Sequence, residues 1–187
     1  FSTAFSANES AATFTTQPLP CRGYAVRTVR RIEVEENRLT LHAELTNTGD
    51  RTVIAAEYCH NFISIGGLPL SSAYCWESPQ LNSPTTDPAL PVQATEHGFR
   101  FAETNRIAFA FRLDFLRPPE LDWRLSNAIV GASVCAHESF MPDGIQIWSS
   151  GHMICPEVFH NMQVAPGETH AWSRTYRFEQ EKVITTR

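Results

Sequence analysis

The sequence predicts an all-β fold, an antiparallel β-sandwich or barrel, and three observations support this class. Apolar and polar residues alternate with a period of two in many short windows. Gly, Pro, Asn and Asp separate those windows, and no window of helical length carries a strong apolar stripe at the helical period. Roughly ten short strands follow from this pattern, as is typical of a sandwich of two sheets.

Length and composition narrow the functional classes. The chain has 187 residues, enough to bury its own core as one domain. Its five cysteines are odd in number, widely spaced and without a C-x-x-C pair, which argues against a disulfide framework or a thiolate zinc site and predicts a reducing, cytoplasmic setting. The net charge is -5 with no basic stripe, and no apolar run is long enough for a membrane span, so neither nucleic acid nor a membrane is expected as a partner.

Residues 1–23 are predicted to form an N-terminal arm, because they are polar and show little periodicity around Phe1, Phe5 and Phe14. The two-residue period begins at Tyr24, and the main domain is placed at residues 24–178. Turn residues divide its first part into three predicted strands, at residues 24–34, 39–45 and 52–58.

Residues 68–95 are predicted to be a long loop, because proline recurs there among Ser, Thr and Asn. Short alternating runs then return until residue 178, and the charged residues 179–187 are predicted to be a tail. The later strands are predicted at residues 97–102, 107–116, 123–125, 128–135, 145–148, 152–155 and 169–178.

The stretch from Glu57 to Gly67 is unusual, because His60 and Asn61 interrupt an apolar strand pattern that ends at a Gly-Gly turn. Burying an imidazole and an amide costs free energy unless both find partners or face a cleft. We interpret the pair as facing a cleft; the alternative is a histidine that is satisfied within the core.

Glu157 is the second candidate for chemistry, since it follows the apolar run Met153–Pro156. A carboxylate among apolar neighbours tends to have a raised pKa or a specific partner, as a general base near neutrality requires; a strand-end glutamate in water is the alternative. The tryptophans, Trp76 and Trp148 among them, could stack on sugar rings or simply pack in the core.

A metal site is not predicted. His152, His160 and His170 could meet in the fold, but the sequence has no H-x-H or H-x-x-x-H spacing and no acidic residue at ligand spacing. A serine nucleophile elbow and a phosphate-binding loop are also lacking.

Three pieces of the chain together resemble the galactose mutarotase-like (aldose 1-epimerase) superfamily. In that family a strand ending in Asn-Thr-Gly precedes an Asn-His-x-Tyr-Phe-Asn-Leu-x-Gly motif, and a Pro-Gly-Glu turn precedes a last aromatic strand. The matching pieces are Leu45–Asp50, Cys59–Gly67 and Gln163–Glu168. The motif departs from the family at Cys59 and Ser64, where the family has asparagine. The resemblance implies a β-super-sandwich of which this chain is the C-terminal part.

The resemblance also implies a reaction. By their positions in the motifs, His60 would be the catalytic acid and Glu157 the catalytic base for opening and closing the ring of an aldose, with no cofactor or metal required. A neighbouring carboxylate such as Glu57 would raise the pKa of His60. The partner would be a small-molecule carbohydrate, contacted by Asn61, Trp76, Trp148 and His152.

Two alternatives stay open beside this interpretation. A carbohydrate-binding β-sandwich could keep the cleft without turnover. A structural domain could instead pack against an N-terminal half or a second subunit, through an apolar patch around the phenylalanines of the arm. The residue that would hold the sugar is not assigned, and Asp114 and Asp143 are candidates.

Overall fold

Antiparallel strands in two sheets make up the fold, in a computed structural model that describes residues 2–81, 90–102, 108–113 and 118–180. The strands of the described residues are β1 (Thr3–Ala7), β2 (Ala11–Thr16), β3 (Val26–Glu35), β4 (Arg38–Asn47), β5 (Val53–Glu57), β6 (Tyr74–Glu77), β7 (Val92–Ala94), β8 (Gly98–Phe101), β9 (Phe109–Leu113), β10 (Leu121–Asn127), β11 (Ala132–Glu138), β12 (Gly144–Ser150), β13 (Met153–Val164) and β14 (Thr169–Gln180). The predicted all-β antiparallel class is confirmed.

A ten-stranded sheet has the order β1-β2-β3-β4-β14-β11-β10-β6-β8-β7, and a four-stranded sheet has the order β5-β13-β12-β9. Within the strands, buried residues alternate with more exposed ones, and the buried residues form the core between the two sheets. In β10, Leu121, Trp123 and Leu125 are buried, and in β12 Ile145 and Ile147 are buried, while their neighbours are more exposed. Each such side chain contributes roughly 1.5–3 kcal/mol by leaving water.

The segment predicted as an arm forms a hairpin that extends the large sheet. β1 pairs with β2, and β2 pairs with β3. Phe5 and Phe14 lie opposite each other with ring centroids 5.1 Å apart, and Phe5 is 64% exposed. All of β1 is exposed and all of β2 is half-buried, so neither strand has the contrast between faces that produces a visible sequence period. The domain boundary at residue 23 stays a prediction.

The segment predicted as a long loop also contains strands. β6 lies between β10 and β8 in the large sheet, and its first three residues, Tyr74, Cys75 and Trp76, are all buried. A strand covered on both faces loses its polar alternation, which explains why the sequence pattern missed it. β7 lies at the other end of this segment, and residues 82–89 are outside the described part of the chain.

β14 extends to Gln180, two residues into the predicted tail, and residues 181–187 are outside the described ranges. Where the structure describes the chain, it has no helix of the length and apolarity needed to cross a membrane.

Candidate functional site

The segment that follows β5 runs beside β13 and places its side chains alternately on two sides. Ile63 forms a bridge with Ile154, and between β5 and this bridge the Phe62 N–H donates to the His60 carbonyl at 3.1 Å, a tight turn centred on Asn61. The side chains on the outward side, Tyr58, His60 and Phe62, are exposed, whereas the intervening residues are more buried.

The outward side of this segment brings His60 to Glu157. His60 Nε2 lies 3.3 Å from Glu157 Oε1, with side-chain exposures of 54% and 7%. Gln146 stands opposite Glu157 in the β12–β13 pairing, and its Nε2 donates to Glu157 Oε2 at 2.9 Å. Burial, helped by Glu157, raises the pKa of Cys155 to about 12, so its thiol stays protonated 3.7 Å from Glu157 Oε1. The carboxylate is therefore held with one oxygen facing the imidazole.

Asn61 faces inward and connects its segment to two strands. Its Nδ2 donates to the Pro156 carbonyl at 2.8 Å, and its Oδ1 accepts from the Tyr176 hydroxyl at 2.7 Å. Burial, followed by the nearby Glu138, raises the pKa of Tyr176, which keeps the phenol protonated as a donor. The sequence analysis expected Asn61 to contact substrate; in the structure its amide holds the His60 turn against β13 and β14.

A buried arginine lies below this turn. Arg174 contacts Glu57 at 2.8 Å and Glu138 at 2.9 Å, and its side chain is 4% exposed. Its third nitrogen donates to the Val158 carbonyl at 3.1 Å, and its guanidinium lies 4.9 Å from the Phe140 ring centroid. One guanidinium thus links β14 to β11, β13 and β5.

This arrangement corrects the expectation for Glu57. Its carboxylate is bound to Arg174, and the carboxylate beside His60 is Glu157. The second acid on Arg174, Glu138, is fully buried and accepts from the Trp123 indole N–H at 3.3 Å. Burial raises the pKa of Glu138 to about 7, although Arg174 acts in the opposite direction.

Aromatic rings surround His60 on the outward side. Tyr58 meets the imidazole edge-on at 5.0 Å, and Phe62 lies 5.6 Å from it. Phe62 in turn meets Trp148 edge-to-face at 5.6 Å, and Tyr58 stacks on Phe159 at 4.6 Å. Trp148, an expected substrate contact, therefore lies on the same face as the His60–Glu157 pair.

Two other expected substrate contacts lie elsewhere. Trp76 is 0% exposed and stacks on Phe99 and Trp123 in the core, so it offers no surface to a ligand. His152 is exposed at the turn between β12 and β13, five residues along the strand from Glu157, or about 16 Å at the rise of an extended strand.

The candidate positions for a sugar-holding aspartate receive little support. Asp143 accepts the backbone N–H of Asn161 at 2.7 Å. Asp114 is outside the residues that the structure describes.

A cavity of about 570 Å³ lies on the other side of the His60 turn. It is bounded by residues 60–66 and by apolar side chains of the large sheet, among them Leu39, Leu41 and Phe178. His60 lines this cavity, whereas Glu157 does not.

The histidines considered for a metal site do not form one. His160 and His170 approach with 2.7 Å between their Nε2 atoms, and burial, with the nearby His170, lowers the pKa of His160 to about 4. Among the described residues there is no group of three or more His, Cys, Asp or Glu side chains that could hold a metal ion.

Gln146, Arg174 and Tyr176 support the site but were not singled out from the sequence. A signal existed for the last two, since the alternation in residues 169–178 puts them on one face with Trp172, where an arginine needs a buried partner. No local signal identifies Gln146, because its role depends on the β12–β13 register.

Comparison with known proteins gives agreement in fold. No protein-family model and no curated protein sequence matches the chain. Among solved structures, it is similar to a galactose mutarotase related enzyme from Lactobacillus acidophilus, at 11% identity over 97% of this chain and 72% of that chain, with a TM-score of 0.70. It is also similar to an aldose epimerase homologue from C. elegans, at 10% identity over 96% of this chain and 69% of that chain, with a TM-score of 0.70.

A galactose mutarotase-like protein from Lactobacillus casei gives the same result, at 15% identity over 96% of this chain and 74% of that chain, with a TM-score of 0.67. Sequence identity this low supports a statement about fold alone. The sequence motifs and the structural similarity agree, and the chain has the galactose mutarotase-like fold.

Proposed function

We propose that this protein binds an aldose on the outer face of the four-stranded sheet and interconverts its anomers by acid–base ring opening. The observation that carries the proposal is the 3.3 Å contact between His60 Nε2 and Glu157 Oε1, two residues from distant parts of the sequence that the fold brings together, with the imidazole 54% exposed. The similarity in fold to proteins described as mutarotase-related adds support.

The chemistry needs one proton acceptor and one proton donor. Glu157 takes the proton of the anomeric hydroxyl, the electrons of that O–H bond form the C1 carbonyl, and the C1–O5 bond breaks as His60 gives a proton to the ring oxygen. Rotation about C1–C2 presents the other face of the aldehyde, and both transfers then run in reverse, so each residue returns to its starting state. General acid and base groups of this kind each contribute roughly 10²–10⁴-fold.

The neighbours of the pair have roles that suit this scheme. Gln146 holds one oxygen of Glu157, and the Asn61 contacts hold the backbone beside His60, so the carboxylate and the main chain at His60 stay in place. His60 is half-exposed, which leaves its ring room to move from Glu157 toward the ring oxygen of a bound sugar. Prior positioning of this kind lowers the barrier by avoiding reorganisation in the transition state.

Polarimetry tests the proposal. Fresh α-D-glucose and α-D-galactose are followed toward anomeric equilibrium with the protein, with His60→Gln and with Glu157→Gln. We expect a rate above buffer that each substitution lowers by roughly 10²–10⁴-fold. Matched controls are His152→Gln and Glu96→Gln, exposed residues away from the pair, which should keep the wild-type rate. A rate equal to buffer, or one that survives both site substitutions, would contradict catalysis.

Binding without turnover is the second candidate function, and the aromatic rings favour it. Tyr58, Phe62 and Trp148 form a partly exposed surface whose ability to stack on a sugar does not depend on His60 or Glu157. The distinguishing result is a saturable change in the Trp148 indole NMR signal on sugar addition, together with an anomerisation rate equal to buffer.

A further inference from the structure

An exposed arginine, Arg30, lies on the face of β3 that also carries half-buried apolar residues. Arg30 shares that face with Val26, Thr28, Ile32 and Val34, because residues two apart in a strand project to the same side. Its partner across the sheet is Ala43 of β4, which packs against the hydrophobic core. A guanidinium therefore stands where this strand otherwise presents apolar or small side chains.

The row of residues that contains Arg30 forms a slot. Phe14 lies opposite Arg30 on one side, Ala43 lies opposite it on the other, and Trp172 lies opposite Ala43. Two strand spacings, about 10 Å, separate the backbones of Arg30 and Trp172, and only the methyl group of Ala43 rises between them. The slot is part of a cavity of about 580 Å³, a volume typical of small-molecule sites.

The arginines around this cavity differ in whether they have an ion-pair partner. Arg31 pairs with Glu33 at 2.6 Å, and Arg174 is bound by its two carboxylates. Arg30 makes no ion pair with any residue that the structure describes. Glu57 supplies the acidic group among the described lining residues, and it is held by Arg174. An anion that enters the cavity would thus meet a guanidinium free to bind it.

The cavity is separate from the His60–Glu157 pair. The inward residues Glu57 and Cys59 line it, whereas His60 and Glu157 do not. Besides Arg30, its polar lining residues include Thr16 and Thr28, which carry hydroxyl groups, and its aromatic lining residues are Phe14 and Trp172.

We propose that this cavity is a second binding site, for a small organic anion with a flat apolar body. The oxyanion, a carboxylate or a phosphate, binds Arg30, and the flat part packs against Trp172 above Ala43. The site does not depend on the anomerase reaction proposed above.

NMR titration of the ¹⁵N-labelled protein with phenyl phosphate, benzoate and neutral benzyl alcohol tests this site. The readout is the indole N–H signal of Trp172, assigned by its loss in Trp172→Phe. We expect a saturable shift with at least one of the two anions, at least tenfold weaker binding of that anion by Arg30→Gln, and much weaker binding of benzyl alcohol. The tighter of the two anions then identifies the oxyanion that the site prefers.

Two further variants distinguish specific binding at this site from nonspecific electrostatic attraction. Arg27→Gln removes the same charge from the opposite face of the same strand and should leave the affinity unchanged, whereas Ala43→Leu fills the slot with Arg30 intact and should abolish the shift. The proposal is overturned if neither anion gives a saturable shift, if Arg30→Gln binds as the wild type does, or if Arg27→Gln weakens binding equally.

Discussion

The two sides of the segment from Glu57 to Ile63 differ in whether their side chains already have hydrogen-bond and ion-pair partners within the protein. On the inward side, Glu57 and Asn61 are bound to Arg174, Tyr176 and the backbone of β13. On the outward side, Tyr58 and Phe62 are 41% and 57% exposed and contact mainly other rings. The inward contacts consume the hydrogen-bonding capacity of their groups, whereas the outward rings leave part of their surface exposed to a ligand.

One short segment can in this way contribute to stability and to chemistry together. Because side chains alternate along an extended chain, the partners that hold the backbone and the groups that would meet a substrate occupy opposite faces. Substitutions on the inward side should therefore change the free energy of unfolding, and substitutions on the outward side should change ligand behaviour.

Replacing the buried arginine should destabilise the fold severely. In Arg174→Met the side-chain volume is largely kept, but Glu57 and Glu138 lose their cation, and breaking a buried ion pair in this way costs about 3–5 kcal/mol. Urea unfolding measures the change. The control is Arg177→Met, in the same strand, where the side chain is 58% exposed and pairs with Glu179, so the change should stay below about 1 kcal/mol. A loss below about 1 kcal/mol for Arg174→Met would show that the inward contacts do not stabilise the fold as stated.

Glu138 should make stability fall as pH rises. Its pKa is about 7 in the fold against an ordinary value of 4.5, so between these values the folded state keeps a proton that the unfolded chain has released. The free energy of unfolding therefore decreases through this window and levels off above it, by about 3 kcal/mol in all. Unfolding of wild type and Glu138→Gln from pH 4 to 8 measures this contribution as the difference between the two curves.

The curve of the variant must be subtracted from that of wild type because His160 changes stability in the opposite direction as pH rises. Its pKa is about 4 in the fold against 6.5, so the unfolded chain binds the extra proton and its contribution rises with pH. Both proteins contain His160, and subtraction removes its effect. A wild-type minus variant difference that stays constant over pH 4–8 would show that Glu138 titrates normally.

The smallest effect on stability is expected on the outward side. Phe62 is 57% exposed, so Phe62→Ala should change the free energy of unfolding by no more than about 0.5 kcal/mol. It also removes a ring beside His60 and Trp148, and sugar binding should weaken by about 0.5–1.5 kcal/mol. Calorimetric titration measures the affinity, with Ile54→Ala, an 80% exposed apolar residue of β5, as the control. Unchanged sugar affinity in Phe62→Ala would contradict the proposed ligand face.

Sequence patterns predicted the strands that have one wet and one dry face. β4 and β14 are examples, since both alternate through most of their length. β6 was missed because its residues are buried on both faces, and β1 because its residues are exposed on both. A period of two appears only where the two faces of a strand meet different surroundings.

The site was predictable only where a motif marked it. The motifs singled out His60 and Glu157, and the structure places them in contact. The position of Gln146 depends on which residues pair across β12 and β13, and that register is decided by the whole sheet rather than by nearby sequence. For the same reason the sequence could not tell which tryptophan faces outward. Trp76 lies in an inner strand of the large sheet, and Trp148 lies on the outer face of the small one.

The spacing between β5 and the Ile63 bridge has an evolutionary consequence. Both ends of this short stretch are hydrogen-bonded to β13, so its length cannot change without altering which side chains face outward. Inserting or deleting one residue between Glu57 and Cys59 would turn the imidazole toward Arg174 and move Cys59 to the surface, because side-chain direction reverses at every step. Descendants of this sequence should therefore tolerate substitutions here far better than single-residue insertions or deletions.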